Sequence, residues 1–528
     1  MADEQVKAGS GQMELGLAVQ SSAALVANGG SPAVAARAPR FRRVDRRQLQ
    51  FDVLDVERLV DEDHPVRAIW EMTGRLDLRG FYGPIAAVEG RAGRTPLDPR
   101  LLVAVWIYAY SEGITSAREV AELLTYHPAF RWLAGLETVN YHTLSDFRTA
   151  HREALEALMA GVLGVLRSEG LVTLKRVVHD STKVQACAGV DTFRTGDGLA
   201  ACLKEAREHV EALAAEADDP TLSERGRQAR RRAAEERVER LDRAGEELQR
   251  LQEKAVGAAT AKAPRVSTTD PEARVMKQGN GGYAPSYSVQ ISTDTAAGAI
   301  VAAAPVQEGS DQAQLMPAMD RVQQCCGQKP GEVVADAGFT HRESIQQTAA
   351  QSIVLYGSMC DGEDLSRAHL KSRGVAEEFY PEAFAYDPKQ DCYICPVGTI
   401  LAFAERETGP GVERYRYYAP LDACRCCRSR SKCCPGKRSR GRGVVRIVES
   451  GQVQEFRHRM ETDEGKAAYR QRGQMAEFPN AWLKEKLGLR RFRLRGLAKV
   501  TMEVQWACLT YNLQLWIRRC WLPARLAA

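Results

Sequence analysis

Lys175-Arg176-Val177-Val178-His179-Asp180-Ser181-Thr182-Lys183 is the stretch on which the fold turns. A basic pair leads into two valines, and a lone acid stands where a short buried strand should end. An acid in that place costs solvation energy unless a cation or hydrogen bonds compensate it. Asp180 is therefore either a capped structural acid or a metal ligand. Other acids, placed where such a ligand needs partners, decide between the two.

Working outward, Glu332-Val333-Val334-Ala335-Asp336-Ala337-Gly338 reads as a second strand that closes on an acid, here followed by glycine. Between the two, Tyr287–Ser292 alternates in character and Ala299–Val306 is another short strand. Asp311–Cys326 and His341–Ala350 read as helices, and Ser352–Tyr356 as a further strand. Three strands joined by short turns, followed by alternating α and β, predict an α/β core: a mixed sheet flanked by helices. If the first and fourth strands are neighbours, Asp180 and Asp336 lie side by side. Two buried carboxylates repel, and one takes up a proton unless a divalent cation sits between them. Mg²⁺ favours a few carboxylates with water and phosphate oxygens. Two such ions about 4 Å apart suit phosphodiester chemistry. A third acid must come from elsewhere.

The flanks are helical. Leu101–Tyr108 is a buried helix entered through Pro96 and Asp98. Ser116 caps a second helix, with Glu119 three residues on, and His127-Pro128 stops it. A third runs from Tyr141 to about Arg167. Such short helices suit either a helix-turn-helix-like DNA reader or an ordinary helical domain. Across 196–256, Leu203, Val210, Leu213, Val238, Leu241, Leu248 and Leu251 recur at helical spacing, and Asp218-Asp219-Pro220 splits the run into a hairpin. Thr501–Trp516 is an apolar closing helix.

Composition sets the class. The 528 residues predict several domains, and 44% hydrophobic with 27% charged content is that of a globular protein. The net charge of +5 says little by itself, but basic residues crowd at 37–47, 225–231, 428–446 and 490–499. The absence of an 18-residue apolar run and the acidic start Met1-Ala2-Asp3-Glu4 predict a cytoplasmic protein without membrane contact. Seven of the 14 cysteines fall between 392 and 434, which is a metal-site rather than a disulfide distribution. Cys392-x2-Cys395 and Cys424-x2-Cys427 are two knuckle-like pairs able to hold a structural Zn²⁺, and Cys433 is able to replace one member. Reduced packing thiols remain the alternative. Arg490, Arg491, Arg493, Arg495 and Lys499 suit phosphate contacts or plain solvation equally.

Three stretches together resemble the DDE insertion-sequence transposases of bacteria, and most closely the long group with a Cys-rich insert. Val178–Lys183 is similar to that family's first-Asp strand, and Val333–Phe339 to its second-Asp strand. Tyr469, Arg472, Glu477 and Lys484 resemble its tyrosine–arginine–glutamate–lysine signature, with two, four and six intervening residues. The resemblance covers about 45–520. It implies an RNase H-like core with Asp180, Asp336 and Glu477 holding two Mg²⁺, for which Mn²⁺ can substitute. It also implies Tyr469, Arg472, Lys484, Arg491 and Arg495 on DNA, terminal inverted repeats and target DNA as partners, a homodimer on DNA, and a nucleoid-associated location. The expected division is a disordered tail (1–45), a helical DNA-binding domain (46–170), a core (171–190, 280–358, 456–520), a helical-hairpin insert (191–279) and a Cys-rich insert (359–455). The competing readings are an RNase H-like structure-specific endonuclease and a domesticated, non-cutting DNA-binding protein.

Overall fold

Val177 and Val178 do enter a strand, but it does not stop at Asp180: β1 spans Arg176–Gln185. The approach to it is not extended. Leu174 is buried with a left-handed backbone (φ 56°). Its N–H and that of Thr173 donate to the buried Asp294 carboxylate at 2.6 and 3.1 Å, which holds the turn. The computed structural model describes residues 53–86, 95–215, 223–255, 263–359, 362–435 and 440–527. The expected tail over 1–45 and the Asp218-Asp219-Pro220 break lie outside these, as do Cys360, Lys437 and Arg438.

Four further strands complete the central sheet: β2 (Tyr283–Asp294), β3 (Ile300–Val306), β4 (Glu332–Ala335) and β5 (Val354–Gly357). Their order is β3-β2-β1-β4-β5, and a short edge strand, Arg274–Lys277, pairs with the remaining part of β2. β1 is antiparallel to β2 over Val177–Gln185 but parallel to β4 over Arg176–Val178 only. The sheet is mixed, as the sequence predicts.

Around it lie α1 (Pro99–Ser111), α2 (Arg152–Ser168), the hairpin helices α3 (Gly196–Ala215) and α4 (Glu224–Ala255), then α5 (Leu315–Cys326), α6 (Arg342–Ala350), α7 (Asp463–Glu485) and α8 (Leu497–Trp516). The expected cap holds, with Ser116 accepting from the Glu119 N–H at 3.4 Å. His127 ends that helix and starts another, Pro128–Ala134. The single helix expected from Tyr141 to Arg167 is two. His151 leaves the helical region (φ −116°, ψ 56°), and its ring packs on Phe81 and Phe147.

One apolar core runs from α1 and α2 through α8 to the sheet. α8 is buried nearly all round and still carries Glu503, Thr510 and Asn512 inside. Asn512 explains itself: its amide accepts from the Ile300 N–H at 2.9 Å and donates to the Ile300 carbonyl at 2.8 Å. It thereby pairs backbone groups of β3 much as another strand would. α3 and α4 enclose a small core of their own, including Leu199, Ala206, Leu241 and Leu248.

The cysteine-bearing segment has structure that its sequence conceals. β6 (Ala385–Asp387), β7 (Cys392–Ile394), β8 (Ile400–Gly409), β9 (Val412–Tyr418) and β10 (Gly443–Glu449) form an antiparallel meander in chain order. Glu449 at its end pairs with both Arg342 and Arg457 at 2.6 Å, which ties the meander to α6 and to the helix Gly451–Glu461.

Candidate active site

The register of β1 and β4 builds the site. Val178 pairs with Val334, so two residues further along each strand Asp180 and Asp336 stand side by side. Because β4 ends at Ala335, Asp180 lies mid-strand where its parallel neighbour has stopped. Side-chain exposures of 19% and 36% leave both carboxylates reachable. Asp336 accepts the Gly338 N–H at 2.8 Å. A Cβ at Gly338 would lie 3.1 Å from Asp336 Oδ1 and 3.7 Å from Asp311 Cβ, so this close approach favours glycine.

α7 crosses β1, β4 and β5. Ala468 and Ala476 pack on Val178, Val334 and Tyr356, and that face carries polar groups over the acids. Arg472 Nη1 stands 4.0 Å from Asp180 Oδ1 and 4.0 Å from Asp336 Oδ2. Asn480 Nδ2 donates to Asp180 Oδ2 at 3.1 Å, while Asn480 Oδ1 is buried with no hydrogen-bond partner. Half-buried Lys484 follows one turn later, and burial lowers its pKa against the pull of Asp180. α7 runs through Pro479 without a break. Pro479 is buried in the same face, so packing offsets its missing donor. Tyr469 lines a cleft of about 540 Å³ beyond β5, with Arg457, Lys466 and Arg470.

Burial pushes the Asp180 carboxyl above its ordinary range. The Ser181 N–H and Arg472 oppose this, while Asp336 and Asp311 add to it. His179 is fully buried and brought down to about 4, chiefly by desolvation. It is a packed strand histidine, bonded to Ser292 and Gln290 at 3.0 Å each. Gln290 in turn donates to Asp311 at 3.1 Å, and Lys183 lies 3.7 Å from the same carboxylate. Sequence reasoning missed Asp311 and Asn480 as site residues. Asp311 precedes α5 instead of opening it, and neither residue carries a periodic or motif signal.

Glu477 does not join the aspartates. It is exposed on α7, three residues before Asn480. Among the described residues, no three acids, histidines or cysteines are gathered tightly enough to hold a metal. Arg491 spends its guanidinium on the carbonyls of Ala186 (3.3 Å) and Ala188 (3.5 Å). Arg495 is exposed, with Asp270 and Arg240 among its charged neighbours. Of the four expected zinc ligands, Cys395, Cys424 and Cys427 line one small cavity with Cys433 and Cys434, whereas Cys392, buried in β7, does not line it.

Paired acids where the parallel strand pairing ends, beneath a helix that carries Arg, Asn and Lys, make up the candidate site. Two domain families match parts of the chain on either side of this pair. Residues 54–150 match the Transposase domain (DUF772), and residues 394–516 match the Transposase DDE domain, a stretch that includes Glu477. The chain carries both domains, a pair typical of insertion-sequence transposases. No curated protein matches it. Among solved structures, the cryo-EM structure of the piggyBac transposase synaptic complex with hairpin DNA aligns at 7% identity, over 88% of this chain and 82% of that one, with a TM-score of 0.26. No helix of the described residues is long and apolar enough to cross a membrane.

Proposed function

We propose that the chain cleaves insertion-sequence ends and joins the freed 3′-hydroxyl to target DNA. The observation that carries this is the pairing of Asp180 and Asp336, each 4.0 Å from one arginine nitrogen. The sheet order β3-β2-β1-β4-β5, antiparallel and then parallel, supports an RNase H-like core for residues 171–190, 280–358 and 456–520.

The donor set fits a hard divalent cation. Asp180, Asp336 and the partnerless buried Asn480 Oδ1 are all oxygen ligands of the kind Mg²⁺ takes, and Arg472 already places positive charge between the acids. Glu477, exposed on α7 and apart from the pair, is the third carboxylate of this reading on the strength of the Tyr469–Lys484 signature alone, and it would have to approach the aspartates when metal and DNA bind. Mg²⁺ held here, as two ions with Mn²⁺ as a substitute, would lower the pKa of the attacking oxygen and neutralise charge on the leaving one.

The remaining work belongs to the chain's own groups. Arg472 turns from the carboxylates to the scissile phosphate. Tyr469 and Lys484 hold the backbone on either side, and Lys183 with Asp311 fixes the wall of the site. Positioning of this kind needs no covalent protein–DNA link. The helices of 54–150 bind the terminal inverted repeats, Arg491 and Arg495 add phosphate contacts, and a homodimer presents one site to each element end.

The test uses DNA carrying the sequences that flank the gene. The wild type should yield nicked ends and joined strand-transfer products. Asp336→Asn should lower cleavage by 10³-fold or more, since metal-borne charge stabilisation is worth several kcal/mol, about a decade per 1.4 kcal/mol. The same variant should still shift that DNA in a gel. Nicks without joined products would point to an endonuclease instead. Binding without nicks, even from the wild type, would point to a non-cutting DNA-binding protein.

A further inference from the structure

The meander collects sulfur in a pattern that its spacing does not predict. Cys395 follows β7, Cys424 lies in the short helix Leu421–Arg425, and Cys427 follows that helix. All three line one cavity of about 20 Å³, joined by the adjacent Cys433 and Cys434, whose sulfurs are 3.9 Å apart. That is room for a single ion or water.

Each of the three sulfurs also receives a backbone amide. The Thr399 N–H points at Cys395 Sγ (3.2 Å), the Arg442 N–H at Cys424 Sγ (3.3 Å) and the Ser429 N–H at Cys427 Sγ (3.4 Å). A neutral thiol is a poor acceptor, whereas a thiolate is a good one. Backbone amides directed at several sulfurs are the outer-shell hydrogen bonds that metal-bound cysteines take. The three donors come from different parts of the meander, so the arrangement belongs to the fold and not to one turn.

We infer that Cys395, Cys424 and Cys427, with a fourth sulfur from the Cys433–Cys434 pair, form a structural tetrathiolate Zn²⁺ site, and that Cys392 is not part of it. Four thiolates complete a closed tetrahedral shell, and each thiol releases its proton to solvent as the ion binds. The sulfurs do not yet stand at ligand spacing. They line the same cavity, and closing the shell requires their side chains to rotate into it. Cys392 fails for a local reason. It is paired within β7, and its sulfur is buried away from the cavity, while Cys395 lies just past the strand end.

The experiment measures metal in the full-length protein, purified under reducing conditions without added metal. One zinc per chain is expected. Cys395→Ser, Cys424→Ser, Cys427→Ser and the double Cys433→Ser/Cys434→Ser should each lose most of it. Cys392→Ser and Cys426→Ser should keep it, and so should Asp180→Asn, which separates this site from the active-site reading. Should a serine variant fail to fold, the wild type stripped with a mercurial serves instead. It should release one zinc, become sensitive to protease within 376–446, and recover on adding zinc. Cobalt in its place should show thiolate charge-transfer bands and tetrahedral absorption. Metal-free wild-type protein, zinc retained in Cys424→Ser, or zinc lost in Cys392→Ser would each overturn the proposal.

Discussion

At the scale of the residue, the acids are defined by what stands opposite them. Arg472 reaches both carboxylates, and Asn480 holds one of them, so Asp180 is stabilised without being closed off. A divalent cation that binds this pair should stabilise the folded chain by about 2.7 kcal/mol at a hundredfold excess over its dissociation constant. Thermal denaturation with and without Mg²⁺ should show an upward shift in the wild type and none in Asp180→Asn. An equal shift in both would remove Asp180 from the ligand set. Glu503 offers a separate readout. Burial raises its pKa from 4.5, against the opposing influence of Arg148 and the N–H groups of Arg493 and Leu494. The folded chain therefore holds this proton more tightly than the unfolded one. The resulting stability is fully present below pH 4.5 and falls as pH rises through the raised value. Urea midpoints compared between wild type and Glu503→Gln should differ in slope over that window and run parallel above it.

At the scale of the element, strands were legible from alternation in β2, whose polar residues are nonetheless buried, and from the apolar run in β4. The end of β1 was not legible. Nothing in Asp180-Ser181-Thr182 says whether pairing continues, because that depends on β2 continuing and β4 stopping, and β4 lies about 150 residues away. The Cys-x2-Cys spacing hides a similar break. Cys392 and Cys395 look like one knuckle, yet a strand end falls between them. Asn480 escaped notice because a helical asparagine carries no pattern until its helix has been docked. The turn before β1 makes an energetic claim. Asp294 accepts from the N–H groups of Thr173, Leu174 and Ala296, and the first two hold Leu174 in its left-handed conformation. Asp294→Ala would orphan buried donors and should cost about 3 kcal/mol. Urea denaturation would show this, and a loss within experimental error would mean that the turn is held by other contacts.

At the scale of the molecule, the helices of the first transposase domain do not have a core to themselves. Trp106 donates to the Leu144 carbonyl at 3.0 Å, Trp506 of α8 donates to the Arg148 carbonyl at 3.3 Å, and the same apolar cluster continues into β1 and β3. Deleting 55–170 should therefore unfold the sheet that carries Asp180 and Asp336. Circular dichroism of that fragment should lack a cooperative melt, and a sharp transition would show that the two parts fold separately. Repeat binding is better dissected by surface substitutions than by truncation. The same continuity bears on synthesis. Asp180 and Asp336 leave the ribosome long before α7 brings Arg472 and Asn480 over them, and α8 follows last to pair Asn512 with β3. A chain that ends before α8 lacks a closed core, and one that ends before α7 also lacks the groups that stand over its acids. Premature stop codons ahead of about 516 should thus leave no partly active fragment to nick the host chromosome.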